Sequence, residues 1–176
     1  MPRRDGSPSH LWRAASVFLV LGLSCASTPW PDEPGLPVEL GRAANVEAGD
    51  AFLSALTATR STRGLSAPLV TPRYQSDIRT FAEDLQAGKT SAAGARRAIE
   101  AWGNTAFHRQ VDSWVVDCGP GRTPRIPAPL VDRPAVAVSY AAAHFRPRSL
   151  GQDQCAVLVV APTGNAEAVQ FDGKLN

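Results

Sequence analysis

Residues 155–161 read Cys-Ala-Val-Leu-Val-Val-Ala, seven apolar side chains in a row closed by Pro162. An unbroken apolar run of that length, stopped by a proline, predicts a central strand. Upstream, Ala135 to Phe145 alternates with Val136, Val138 and Tyr140 on one face, which predicts a second strand. Trp114 to Cys118 (WVVDC) predicts a third, separated from the second by a Pro/Gly-rich crossing from Gly119 to Pro134. Ala166 to Phe171 adds a short edge. Before residue 104 the period is helical. The first helix is expected over Val46 to Arg63, with Phe52, Leu53 and Leu56 inward and Gly64 at C′ to stop it. Thr71 and Pro72 suit the cap and first position of a second helix, whose inward stripe is Tyr74, Ile78, Phe81 and Leu85 and whose end is Gly88. A third starts near Ser91 and turns Ala95, Ile99 and Trp102 inward before Gly103. Helices first and strands later predict an α+β fold, with helices packed on a mainly antiparallel sheet of three to four strands.

The chain before these elements reads as an export leader and a tether. Arg3, Arg4 and Arg13 oppose Asp5, and Ala14 to Leu23 (AASVFLVLGL) then runs without a charge. Ten residues match the apolar region of a signal peptide and fall short of the ~20 that span a bilayer as a helix. Arg3-Arg4 lies too far from that run to read as a twin-arginine signal. Leu21-Gly22-Leu23-Ser24-Cys25 resembles the lipobox of bacterial lipoproteins, in which cleavage before the cysteine leaves it lipidated. Gly22 and Leu23 depart from the usual large aliphatic and small residue at those positions. The expectation is therefore a signal peptide over 1–24, a membrane anchor on Cys25 in the cell envelope, and plain secretion if Cys25 is not acylated. Prolines 29, 31, 34 and 37 make 25–45 an extended tether, and 46–176 the folded domain.

Removing the leader changes the electrostatics. Lys+Arg falls from 18 to 15 and Asp+Glu from 16 to 15, so the formal charge moves from +2 to 0. A neutral domain lacks the cationic excess that nucleic-acid binding requires, so no nucleic-acid partner is expected. With Cys25 acylated, Cys118 and Cys155 remain as an even pair in an oxidising compartment, which reads as a disulfide. The alternative is two unpaired buried thiols. A metal site is the weaker option, since neither cysteine has a second ligand at close spacing.

The helical residues also carry a family pattern. Leu56-Thr57-x-x-Arg60-x-x-x-Gly64-Leu65 is followed by Thr71-Pro72-Arg73-Tyr74, then by Ile78-x-x-Phe81-Ala82-x-Asp84-Leu85. Further on stands Trp102-Gly103-Asn104-Thr105-Ala106-Phe107-His108-Arg109. In order and spacing these resemble the motifs of bacterial CAP domains, relatives of cysteine-rich secretory proteins, antigen five and plant pathogenesis-related proteins. The resemblance spans roughly residues 50 to 161 and implies an α-β-α sandwich. It implies a groove at the last motif, to which His108, Trp102, Asn104 and Arg109 would contribute. Family members that bind a divalent metal use two histidines and two carboxylates. His108 matches the second histidine, but Gln86 to Gly94 holds no histidine where the first belongs, and one carboxylate is lost with it. The resemblance thus implies a degenerate CAP domain with no metal and no cofactor.

Other chemistry is thinly represented. His108 and Asp112 are spaced like a general base and its orienter, but no G-x-S-x-G elbow accompanies them and no catalytic residue is assigned. Gly119-Pro120-Gly121 lacks the Lys-Ser/Thr of a phosphate loop. The expected role is binding of a lipid, glycan or other envelope ligand. A structural or protein-interaction module of the envelope is the alternative, and a cryptic hydrolase the third.

Overall fold

The computed structural model describes residues 30–39, 41–105, 111–119 and 121–163. In chain order the elements are α1 (Arg42–Ser61), β1 (Leu69–Val70), α2 (Gln75–Gln86), α3 (Ala92–Gly103), β2 (Val111–Asp117), α4 (Ala128–Asp132), β3 (Ala137–Phe145) and β4 (Gln154–Pro162). The fold is α+β. The four strands form one mixed sheet in the order β1-β3-β4-β2. β4 is antiparallel to both β2 and β3, and β1 is parallel to β3. The expected strand over 166–171 lies outside the described residues.

The apolar run of β4 is explained by cover on both faces. Its side chains alternate between two cores. Ala156, Leu158 and Val160 join Ile78, Leu85, Ala95 and Ile99 of α2 and α3. Val157, Val159 and Ala161 join Phe52 and Leu56 of α1 and Leu130 of α4 on the opposite face. β3 divides in the same way, with Ala143 and Phe145 facing α2 and α3, and Val138 and Ala142 facing α1.

The helix ends show how local chemistry and tertiary contact share control. Ser91 caps α3 as expected, its Oγ accepting from Gly94 N–H at 2.8 Å. Thr71 does not cap α2. It continues from β1, giving its N–H to Val138 O at 2.9 Å, and α2 begins only after Tyr74. The β1–β3 pairing, made with residues some 68 positions away, overrides the Thr-Pro signal. Helix α1 stops at Ser61, before Gly64, which then turns the chain at φ +70° while Leu65 N–H returns to Arg60 O at 3.0 Å.

Arg60 itself is fully buried, and among the described residues it pairs with no carboxylate. Its guanidinium donates to four carbonyls: Ser66 O at 2.7 Å, Leu130 O and Arg133 O at 2.9 Å each, and Pro134 O at 3.0 Å. Burial lowers its pKa from the ordinary guanidinium value, and the ring of carbonyl dipoles offsets the cost of enclosing the charge. This one side chain ties the end of α1 to α4 and to the entry of β3.

The folded region begins earlier than residue 46, and the stretch expected as free tether is in part a strap. Trp30 packs on Phe145 at a ring separation of 5.3 Å. Asp32 accepts from Arg97 at 2.7 and 3.0 Å and from Ser91 Oγ at 3.1 Å. Leu36 N–H bonds Arg146 O at 2.8 Å, and Val38 is buried. Prolines keep this segment extended, as composition suggests, but Trp30 and Val38 give it apolar surface to bury. Gly35 and Gly88 permit the close approach: a Cβ on Gly88 would lie 2.6 Å from Gly35 O.

Candidate functional site

A groove lies at the edge of the sheet, where α1 and α2 cover opposite faces and leave a gap between them. Its volume is about 890 Å³, in the range of small-ligand sites. One wall is α1, presenting Arg42, Asn45, Gly49 and Asp50. The other is α2, presenting Gln75, Arg79, Glu83 and Gln86, and the floor is Tyr140 to Ala142 of β3. On α2 these residues recur every three to four positions, opposite Ile78 and Leu85, so the amphipathic period that buries one face aims the other into the groove.

Polar contacts define the two ends. At one, Asn45 Nδ2 donates to Gln86 Oε1 at 2.7 Å and bridges the walls. Asn45 Oδ1 meets His144 Nδ1 at 2.8 Å, and Gln86 Nε2 donates to Val38 O at 3.1 Å. Burial lowers the pKa of His144, opposed by the charge of Asp153. A neutral ring with hydrogen on Nδ1 suits the Asn45 carbonyl. At the other end Gln75 Nε2 donates to Tyr140 O at 2.8 Å.

Tyr140 is held between helices. Its ring lies 5.7 Å from that of Phe52, and a Cβ on Gly49 would approach Tyr140 Cε2 to 3.0 Å. Gly49 is therefore what lets α1 settle on the ring. Burial, assisted by Asp50, raises the phenol pKa above its ordinary value, so the ring is neutral at physiological pH. Arg42, Asp50, Arg79 and Glu83 form no salt bridge among the described residues, leaving two cations and two anions on the walls. No His, Cys or Ser is among the described residues that line the groove.

Of the four residues expected at a groove, Trp102 and Asn104 are among the described residues. Trp102 stands edge-on to Tyr74 and Phe81, at 5.6 and 6.2 Å, in the seam between α2 and α3. Asn104 follows α3 and lines a second, smaller hollow of about 360 Å³ with Asp112 and Arg133. There the Asp112 carboxylate is paired with Arg133, which also donates to Pro162 O at 2.8 Å. His108, Arg109 and Cys25 lie outside the described residues. Cys118 and Cys155 are disulfide-bonded, their Cα atoms 4.9 Å apart where β2 runs off beside β4. Among the described residues no group of three or more His, Cys, Asp or Glu could hold a metal ion. Also among them, no helix is long and apolar enough to cross a membrane.

Sequence reasoning missed the main groove. Its only trace was the polar stripe of α2, which is indistinguishable in the sequence from an ordinary solvated face. Comparison with protein-family models, curated proteins and solved structures gives no match to this chain.

Proposed function

We propose that this protein is an exported binding protein of the bacterial envelope, held to a membrane by a lipid on Cys25, and that the groove between α1 and α2 is where its ligand sits. The disulfide is compatible with an oxidising, extracytoplasmic setting, and the leader before Cys25 supplies the export and anchoring part of the reading. The domain is read as a degenerate CAP-like sandwich; helices on both faces of the sheet and the Arg60–Gly64 turn support that assignment.

One observation carries the binding role: a groove of about 890 Å³ walled by amides and unpaired charges, with no His, Cys or Ser among its described lining. Such a surface selects and orients a ligand by hydrogen bonds and charge. Its polarity favours a glycan or another polar envelope ligand over an acyl chain, which would strand the wall charges without solvent. The competing role, a protein-interaction module, draws on Leu69 and Val70, which stand exposed at the sheet margin.

Two experiments test this reading. Cys25→Ser is expected to move the protein from the membrane fraction to the soluble extracytoplasmic fraction, and continued membrane association would remove the anchor. For the groove, the full-length protein in detergent is titrated with a chito-oligosaccharide and with a lysophospholipid, following thermal stability. Stabilisation by the oligosaccharide that Val46→Trp abolishes is the expected result; stabilisation unaffected by Val46→Trp places the ligand elsewhere.

A further inference from the structure

β3 is bonded to β4 along its length, but its other edge is covered only in pieces. Leu69 N–H and Thr71 N–H bond to Val136 O and Val138 O at 2.9 Å each, and beyond the far end Leu36 N–H bonds to Arg146 O at 2.8 Å. In an antiparallel ladder the main-chain groups of successive residues point to alternate edges. The carbonyls of 136, 138 and 146 all point away from β4, so Ala142, of the same parity, also turns its N–H and C=O outward. Tyr140 shares that parity, and its carbonyl is taken by Gln75 Nε2. Ala142 has no such partner among the described residues. It is only 7 % exposed and lies in the groove floor. A main-chain donor and acceptor in the floor of an open groove are met by water until a ligand brings their complement.

We propose that the groove binds a peptide in extended conformation, whose main chain completes the hydrogen bonds of Ala142 by adding a short strand to β3. The inference rests on the reading of the groove as the ligand site and names the ligand class. Besides the Gln75 side chain, two stretches of the protein itself pair with this edge, and both are extended main chain: β1 before the groove and the strap at Leu36 after it. A residue in a strand presents a donor and an acceptor along one edge, which is the complement of Ala142. The gap from Val138 to Arg146 is eight residues, or roughly 26 Å of strand. The Asn45–Gln86 bridge and Gln75 narrow it from either end, so the added strand is centred on Ala142. Arg42, Arg79, Asp50 and Glu83 then meet the side chains of the peptide, alternate ones facing each wall.

The test uses a phage-displayed library of random dodecapeptides panned on the full-length protein in detergent, with the enriched sequence then synthesised. Affinity is measured by fluorescence anisotropy for that peptide and for versions N-methylated at single main-chain positions, which leaves the protein untouched. The expected result is a loss of at least tenfold in affinity at alternate positions only, with amide hydrogen exchange at Ala142 slowed at least tenfold by the peptide. Ala142→Pro, which deletes the outward N–H without breaking the β4 ladder, is expected to weaken binding by a similar factor. A peptide that Val46→Trp displaces, but that is indifferent to N-methylation and leaves Ala142 exchange unchanged, overturns strand addition and keeps the groove as a ligand site. Failure to enrich any Val46→Trp-sensitive peptide, in a protein whose groove binds the oligosaccharide, overturns the peptide inference alone. No binding of peptide, oligosaccharide or lysophospholipid in the groove overturns both readings.

Discussion

Arg60 and His144 are the two residues whose chemistry weighs most on this fold, and they do so in opposite ways. Arg60 keeps its charge inside the protein by giving its donors to four carbonyls from two separate segments. Arg60→Met would fill similar volume and leave those carbonyls unmet. It is expected to cost at least about 3 kcal/mol, read as a lower midpoint in urea unfolding. Arg60→Lys should recover only part of the loss, because an ammonium lacks the planar fork that reaches several acceptors at once. A loss below about 1 kcal/mol would mean that water replaces the guanidinium. His144 is instead held neutral. Its folded pKa lies below the ordinary value of 6.5, so below that pH the unfolded chain takes up more protons than the folded one. Stability from this group is full above about pH 6.5 and is lost as pH falls toward the folded pKa. The melting temperature is expected to fall between pH 7.5 and 5.5, and His144→Gln should flatten that slope. An unchanged slope in the variant would assign the pH dependence to other groups.

At the scale of elements, the disulfide joins the residue after β2 to the second residue of β4, closing a loop that contains α4 and β3. Cys118→Ser with Cys155→Ser is expected to lower stability by about 3–4 kcal/mol, the chain-entropy value for a loop of 37 residues. Urea unfolding of the double variant checks it, and equal midpoints for variant and wild type would show that the bridge adds no net constraint on the unfolded chain. The elements also show where local patterns are readable. β4 declares itself by seven apolar residues and α3 by its serine cap and spaced Ala95 and Ile99. β1 does not declare itself. Leu69 and Val70 are two exposed residues with no period of their own, and they become a strand because Val136 and Val138 offer carbonyls to the turn that follows α1. The same contact moves the start of α2 past Thr71 and Pro72.

Across the whole molecule, the extended segment 30–39 straps over the sheet, α2 and α3, which already share a core. Trp30 covers Phe145, Asp32 holds Arg97 and the Ser91 cap, and Leu36 ends the open edge of β3. Trp30→Ala is expected to lower stability by about 2–3 kcal/mol, on the scale of uncovering a large aromatic contact, with no change in membrane fractionation. A release from the membrane in that variant would show that the strap, and not the anchor, governs attachment.

Much of the architecture was present in the one-dimensional pattern. Period and caps specify three helices and three strands, because the apolar face of each element is written locally and must be buried by something. Cysteine parity pointed to a bridge between Cys118 and Cys155. The leader motif, the Cys25 anchor and the CAP pattern are likewise sequence properties, and they stay proposals of that kind. The groove is different. It exists because β1 is only two residues long, because Gly49 allows α1 down onto Tyr140, and because Asn45 and Gln86 meet across 41 positions of chain. Whether Ala142 keeps a free N–H and C=O depends on where a distant segment stops pairing with β3. No local residue choice encodes that, so the tertiary structure alone placed the site, while the sequence by itself determined the layers that enclose it.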